Sequence, residues 1–102
     1  MEKAHGFAWD PSKASKNIAK HRGVTFQMGM RVSADPKLAF VFSRMEDGEA
    51  RYLAIGAVQS STGRKFVLVV VCALRDWPGD ESTTTHIISV RPATEKERRL
   101  YE

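Results

Sequence analysis

A chain of 102 residues, 42% hydrophobic and 27% charged, reads as one soluble domain spanning residues 1–102 with a modest core. A formal net charge of +4 and a pI near 9.5 favour a polyanionic partner, nucleic acid or an acidic protein, without choosing between them. A single cysteine, Cys72, excludes an internal disulfide and a cysteine-cluster metal site; with no signal-like apolar core and no membrane-length apolar run, a cytoplasmic protein without a membrane partner is expected.

The charge is uneven. Residues 1–33 carry six Lys or Arg against Glu2 and Asp10, whereas acids outnumber bases from Ala34 to Ala50. The stretch "HGFAWD" (His5 to Asp10) reads as a short first strand. Asp10 followed by Pro11 is a helix start, a carboxylate cap and then a residue preset for the first turn. Ala14, Asn17, Ile18 and His21 share one face at helical spacing, lysines surround it, and Gly23 is the stop. A second short helix follows Thr25 through Met28, Met30 and Val32, weakened by Gly29 and ended at Asp35-Pro36.

Beyond Pro36 the pattern turns to strands. "LAFVFS" is the first, and Asp47-Gly48 makes the turn into "ARYLAIGAV". After the "QSSTGRK" turn, "FVLVVVCAL" is a continuous apolar run suited to a central strand covered on both faces, with Cys72 as a small core residue. "RDWPGDESTTTH" is a long polar loop, and "HIISVR" is the last strand. Thr94 and Glu97 form a capping box for a terminal helix. The expected fold is α+β, an antiparallel meander with two N-terminal helices and a C-terminal helix packed on one face.

The chemistry centres on arginine. With the "STG" turn centred at Gly63, Arg51 lies opposite Arg75. With the next loop centred near Asp80, Arg91 shares the face of Arg75. Surface arginines at strand ends need no function, but three on successive strands beside a basic helix suit a phosphate. The planar guanidinium makes two parallel charge-assisted bonds and keeps its proton. In RNA the 2′-hydroxyl can itself attack the neighbouring phosphate, so the protein must stabilise charge and move protons. Glu49, His21, His86 and Lys20 are the candidates for proton transfer. Each also has a plain structural reading: a turn residue for Glu49, a helix end for His21, an exposed strand position for His86. Three histidines without a close carboxylate pair form no recognisable ligand set, so neither metal nor cofactor is expected.

Several segments together resemble one family. "FAWDPSKASKNIAKHRGVTF", "GEARYLAIG", "VVVCALR" and "IISVRPATEKERRLYE" are similar, in this order, to segments of BrnT-type toxins of type II toxin–antitoxin systems. The resemblance implies a RelE-like ribonuclease fold and metal-independent cleavage of RNA that halts translation. It also implies neutralisation by a BrnA-like antitoxin, operator DNA contacted only through the antitoxin complex, and a candidate dimer within that complex. The matching positions are Trp9, Lys20, His21, Glu49, Arg51, Arg75 and Arg91. Arg51 and Arg75 are assigned to phosphate or transition-state binding with Arg91 in support, Glu49 or His21 with Lys20 to proton transfer, and Trp9, Lys20 and His86 to RNA contact. The chain departs from the family pattern at Arg22, at Pro92, and at His86, which stands where an arginine is expected and is a further acid–base candidate. The alternative reading is an inactive module that binds RNA or antitoxin and acts in operon autoregulation.

Overall fold

The computed structural model describes residues 2–4, 6–76 and 83–102. The elements among them, in chain order, are β1 (Glu2–Ala4), β2 (Phe7–Trp9), α1 (Pro11–Lys20), α2 (Phe26–Val32), β3 (Ala39–Glu46), β4 (Glu49–Gln59), β5 (Lys65–Asp76), β6 (Thr83–Pro92) and α3 (Glu95–Tyr101). The protein is α+β, with one sheet in the order β1-β2-β6-β5-β4-β3. From β3 to β6 it is the expected meander. Two features were not expected: β1 forms a hairpin with β2, and β2 pairs parallel to β6, so the sheet is mixed. Arg75, Asp76 and Thr83–His86, expected in the long polar loop, lie within strands instead; the remainder of that expected loop lies outside the described residues.

Local chemistry sets the helices. The Asp10 carboxylate accepts from the Ser12 N–H at 2.9 Å, and Pro11 opens α1. The Thr25 hydroxyl accepts from the Met28 N–H at 3.1 Å to start α2. In α1 the expected apolar face is narrower than drawn: Ile18 is exposed, and the buried position is Asn17. Its amide donates to the Val24 and Val90 carbonyls at 3.0 and 2.8 Å and accepts from the Val90 N–H at 3.2 Å. Asn17 thus satisfies the β6 backbone beyond the short β2 pairing, where buried polar groups would otherwise lack partners.

Alternation along the strands sorts the sheet into two faces. Gly56, Val58, Leu68, Val70 and Cys72, with Ile87 and Val90 opposite them, form one face, and Val24, Phe26 and Val32 pack on it. Gly29 is a requirement there rather than a weakness. A Cβ at that position would stand 2.7 Å from Val90 Cγ2 and 3.3 Å from Val70 Cγ2. The other face carries Ile55, Val69, Ala73, Arg75, Thr84, His86 and Arg91 by register. Here the expectation of all helices on one face fails. α3 is tied to Arg91 of this second face through Glu97, and to Asp35 beside the β4 edge through Tyr101. The Asp35 carboxylate also accepts from the Ala57 N–H at 2.7 Å, continuing the edge of β4 where β3 has ended.

Candidate functional site

The register between β4 and β5 decides which charges meet. Tyr52 pairs with Cys72 and Gln59 with Lys65. Continued towards the β4 start, that register sets Arg51 opposite Ala73 and Glu49 opposite Arg75. The expected pairing of Arg51 with Arg75 is therefore not the one observed. The turn is centred one residue earlier than expected, at Thr62, and is closed by the Ser60 N–H to Arg64 carbonyl bond at 2.8 Å with Gly63 at φ +85°. The difference matters chemically. Two guanidiniums directly opposed would repel, whereas a carboxylate between them draws both together.

Glu49 holds them. Arg75 Nε donates to Oε2 at 2.6 Å and Nη2 to Oε1 at 2.7 Å, a two-pronged grip. Arg51 Nη1 donates to the same Oε1. Arg51 is tightly enclosed, its side chain 11% exposed, and its buried Nε has only Glu46 Oε2 nearby, at 3.4 Å and outside hydrogen-bond geometry. Arg44 pairs with Arg51 across β3 and β4 and reaches Glu46 at 3.1 Å. Among the described residues three arginines therefore share two carboxylates, an excess of positive charge at this end of the sheet. The hydrogen bonds from Arg75, opposed by burial and aided by Arg51, hold the Glu49 carboxyl at about 2. A carboxylate so stabilised is a weak base at neutral pH, which removes much of the ground for giving Glu49 the proton-transfer role.

His86 lies on the same face, opposite Ala73 and beside the arginines, with Thr84 opposite Arg75. It is 5% exposed rather than the surface residue expected. Burial, then the positive charge of Arg75, keeps its pKa below the ordinary 6.5; Glu49 acts in the opposite sense, and Lys13 and Arg51 add to the lowering. The imidazole is therefore neutral at pH 7.

The other expected site residues fall elsewhere. Arg91 shares the face but is opposite Val69, six residues along β5 from Arg75, about 20 Å away at strand spacing. Its two Nη groups donate to the two carboxylate oxygens of Glu97 at 2.6 and 2.8 Å. The strand ends in a guanidinium because that group docks the terminal helix. His21 follows the end of α1, where burial, Lys20 and then Arg91 lower its pKa; it and Lys20 belong with Arg91 at that end of the molecule. Trp9 is core: 3% exposed, its ring meets Phe26 edge-on at 6.1 Å, so it is not available to stack on a base. Cys72 is buried and its thiol is pushed up to about 11, in keeping with a core role.

Two residues that sequence reasoning missed are Asp35 and Tyr101. They border a hollow of about 620 Å³ with Arg31, Lys37 and Lys65, at the opposite end of β4 and β5 from the arginine pair. The Asp35 carboxylate is already saturated by the Tyr101 hydroxyl at 2.5 Å and the Ala57 and Lys37 N–H groups. That pairing is structural, and the hollow is remote from the charged cluster. No sequence signal joins residues 35 and 101.

The fold and the cluster together define a small basic α+β protein that holds a carboxylate-braced guanidinium pair at the end of one sheet face. The family model for the ribonuclease toxin BrnT of type II toxin–antitoxin systems matches residues 9–97. The chain belongs to that family, which implies RNA as substrate and a protein antitoxin as partner. Comparison with curated proteins finds no match.

Proposed function

We propose that this chain is a metal-independent endoribonuclease in which Arg75 and Arg51 bind the scissile phosphate and His86 moves the proton. The observation that carries the reading is the convergence of both guanidiniums on one carboxylate. Glu49 occupies two oxygens' worth of donor positions, the geometry an RNA phosphate needs. When phosphate oxygens replace it, the arginines meet the growing negative charge of the pentacoordinate state. The 2′-oxygen attacks phosphorus and gives its proton to neutral His86. The bond to the 5′-oxygen breaks, and that oxygen is protonated from solvent. The products are a 2′,3′-cyclic phosphate and a 5′-hydroxyl. Glu49 acts as a positioning residue that keeps two like charges side by side before substrate arrives.

In the cell, by the same reading, cleavage halts translation in the cytoplasm. A BrnA-like antitoxin neutralises the chain and carries the complex, with a toxin dimer within it, to operator DNA. Purified protein incubated with single-stranded RNA in EDTA is expected to produce fragments ending in cyclic phosphate. Intact RNA with well-folded protein, or cleavage only after a divalent cation is restored, contradicts the reading. The near-complete burial of His86 favours a second reading, an RNA-binding module without chemistry; binding that weakens steeply with salt and leaves RNA whole would select it.

A further inference from the structure

The sheet face opposite the arginines is only partly covered. α1 and α2 lie over β6, β5 and part of β4, and they leave Phe40, Phe42, Met45 and Leu74 exposed at 46, 58, 60 and 44%. Register makes these one strip. Phe40 pairs with Ala54, Phe42 with Tyr52 and Met45 with Ala50, and the shift between Phe42 and Arg44 returns Met45 to the same side. Tyr52 stacks on Phe40 at 5.0 Å and takes the edge of Phe42 at 6.1 Å, so the aromatics form a fixed platform.

β3 is also the terminal strand of the sheet among the described residues. Its outward backbone N–H and C=O groups have no ladder partner. Edge strands are ordinarily guarded by shortness, charged side chains, proline or a bulge. β3 has eight residues and neither Lys nor Pro; its guards are Arg44, Glu46 and the shift between Phe42 and Arg44. They leave Phe40, Phe42 and Met45 exposed beside the edge, an apolar strip suited to be covered.

We propose that an extended segment of the antitoxin adds to β3 as a seventh strand. Backbone pairing supplies affinity, and apolar side chains at alternate positions of that segment cover Phe40, Phe42 and Met45. On the other face the segment carries an acidic side chain against Arg44, whose side chain is 58% exposed. A net charge of +4 suits such an acidic partner. A second copy suits the edge less well, since a two-fold pairing centred on Arg44 brings the two Arg44 guanidiniums together. The proposal rests on the toxin reading and deepens it. Arg44 faces Arg51 across the strand pair, so the added strand runs about 10 Å from β4 and places its carboxylate beside the guanidinium cluster. Neutralisation follows from blocking RNA's approach at the cluster's rim.

The test is amide hydrogen exchange of the full chain, free and with a BrnA-like antitoxin that binds it. Slowed exchange over residues 39–46 in the complex is expected. Unchanged exchange there, with protection elsewhere, overturns the proposal. So does concentration-dependent protection of the free chain, which would assign the edge to a second copy, or protection by an RNA oligonucleotide. In parallel, Phe42→Lys and, separately, Met45→Lys are each expected to weaken antitoxin binding by at least about 30-fold while RNA cleavage is unchanged. Native-like binding by both variants is the contrary result. Loss of cleavage in every protein, native included, would count against the ribonuclease reading and leave the binding result standing.

Discussion

Glu49 shows how a single side chain changes meaning with its neighbours. In the sequence it is an acid at a turn, two and three residues from Asp47 and Glu46, and a fair candidate base. In the fold its carboxyl is held at about 2 by Arg75 and Arg51, and it becomes the brace that makes an arginine pair tenable. His86 moves the other way, from an exposed strand position to a buried imidazole with a lowered pKa. The consequence is a pH profile. A base with a depressed pKa stays neutral as pH falls through 6.5, so the cleavage rate should hold its plateau there and decline only at more acidic pH. His86→Gln should lower the rate and remove that acid limb. A rate already halved at pH 6.5, or a limb kept in His86→Gln, would mean that another group carries the proton.

At the scale of elements, most of the strands and all three helix starts were legible because their signals are local: Asp10-Pro11, the Thr25 cap, Asp47-Gly48, and the Thr94–Glu97 box. What was not legible depends on distant pairing. The register of β4 on β5 turned on the closure of a five-residue turn, and the parallel seat of β2 on β6 joins residues nearly 80 positions apart without any pattern to announce it. Gly29 illustrates the same limit. By helix propensity Gly29→Ala should stabilise α2 by about 1 kcal/mol, but the added methyl meets two valines of the sheet. We expect net destabilisation of about 1–3 kcal/mol by denaturant unfolding; a more stable variant would show that α2 is not held so close.

The α3 helix buries no residue fully and depends on polar ties. Glu97 accepts both Arg91 bonds and caps the Thr94 N–H at 2.9 Å. Chiefly because of Arg91 its carboxyl is held at about 2, below the ordinary 4.5. A depressed carboxylate pKa contributes stability that is complete above 4.5 and is lost as pH falls from 4.5 towards 2. Amide exchange in residues 95–101 should therefore quicken across that window, before the core opens. Glu97→Gln should give the same loosening at neutral pH, at a cost of about 2 kcal/mol. Equal protection of α3 in the variant would assign its docking to Tyr101 and Asp35 instead.

For the whole molecule, the candidate site is the end of one sheet face, where β3, β4, β5 and β6 bring Arg44, Arg51, Glu49, Arg75 and His86 together from four strands. Strand parity groups Arg91 with Arg51 and Arg75, because it records the face and not the distance along it; in the fold Arg51 and Arg75 meet at Glu49, and Arg91 lies apart. Two ends of one face thus differ: at one Arg91 docks the terminal helix, and at the other, by the proposed function, Arg51 and Arg75 meet the phosphate. The most direct measurement is the single-turnover RNA cleavage rate of Arg75→Ala beside the native chain, with folding of both checked by thermal unfolding. Arg75 is the more exposed of the pair, so its loss should spare the fold and slow cleavage by about 10²–10³. A variant that folds and cuts at the native rate would contradict the account.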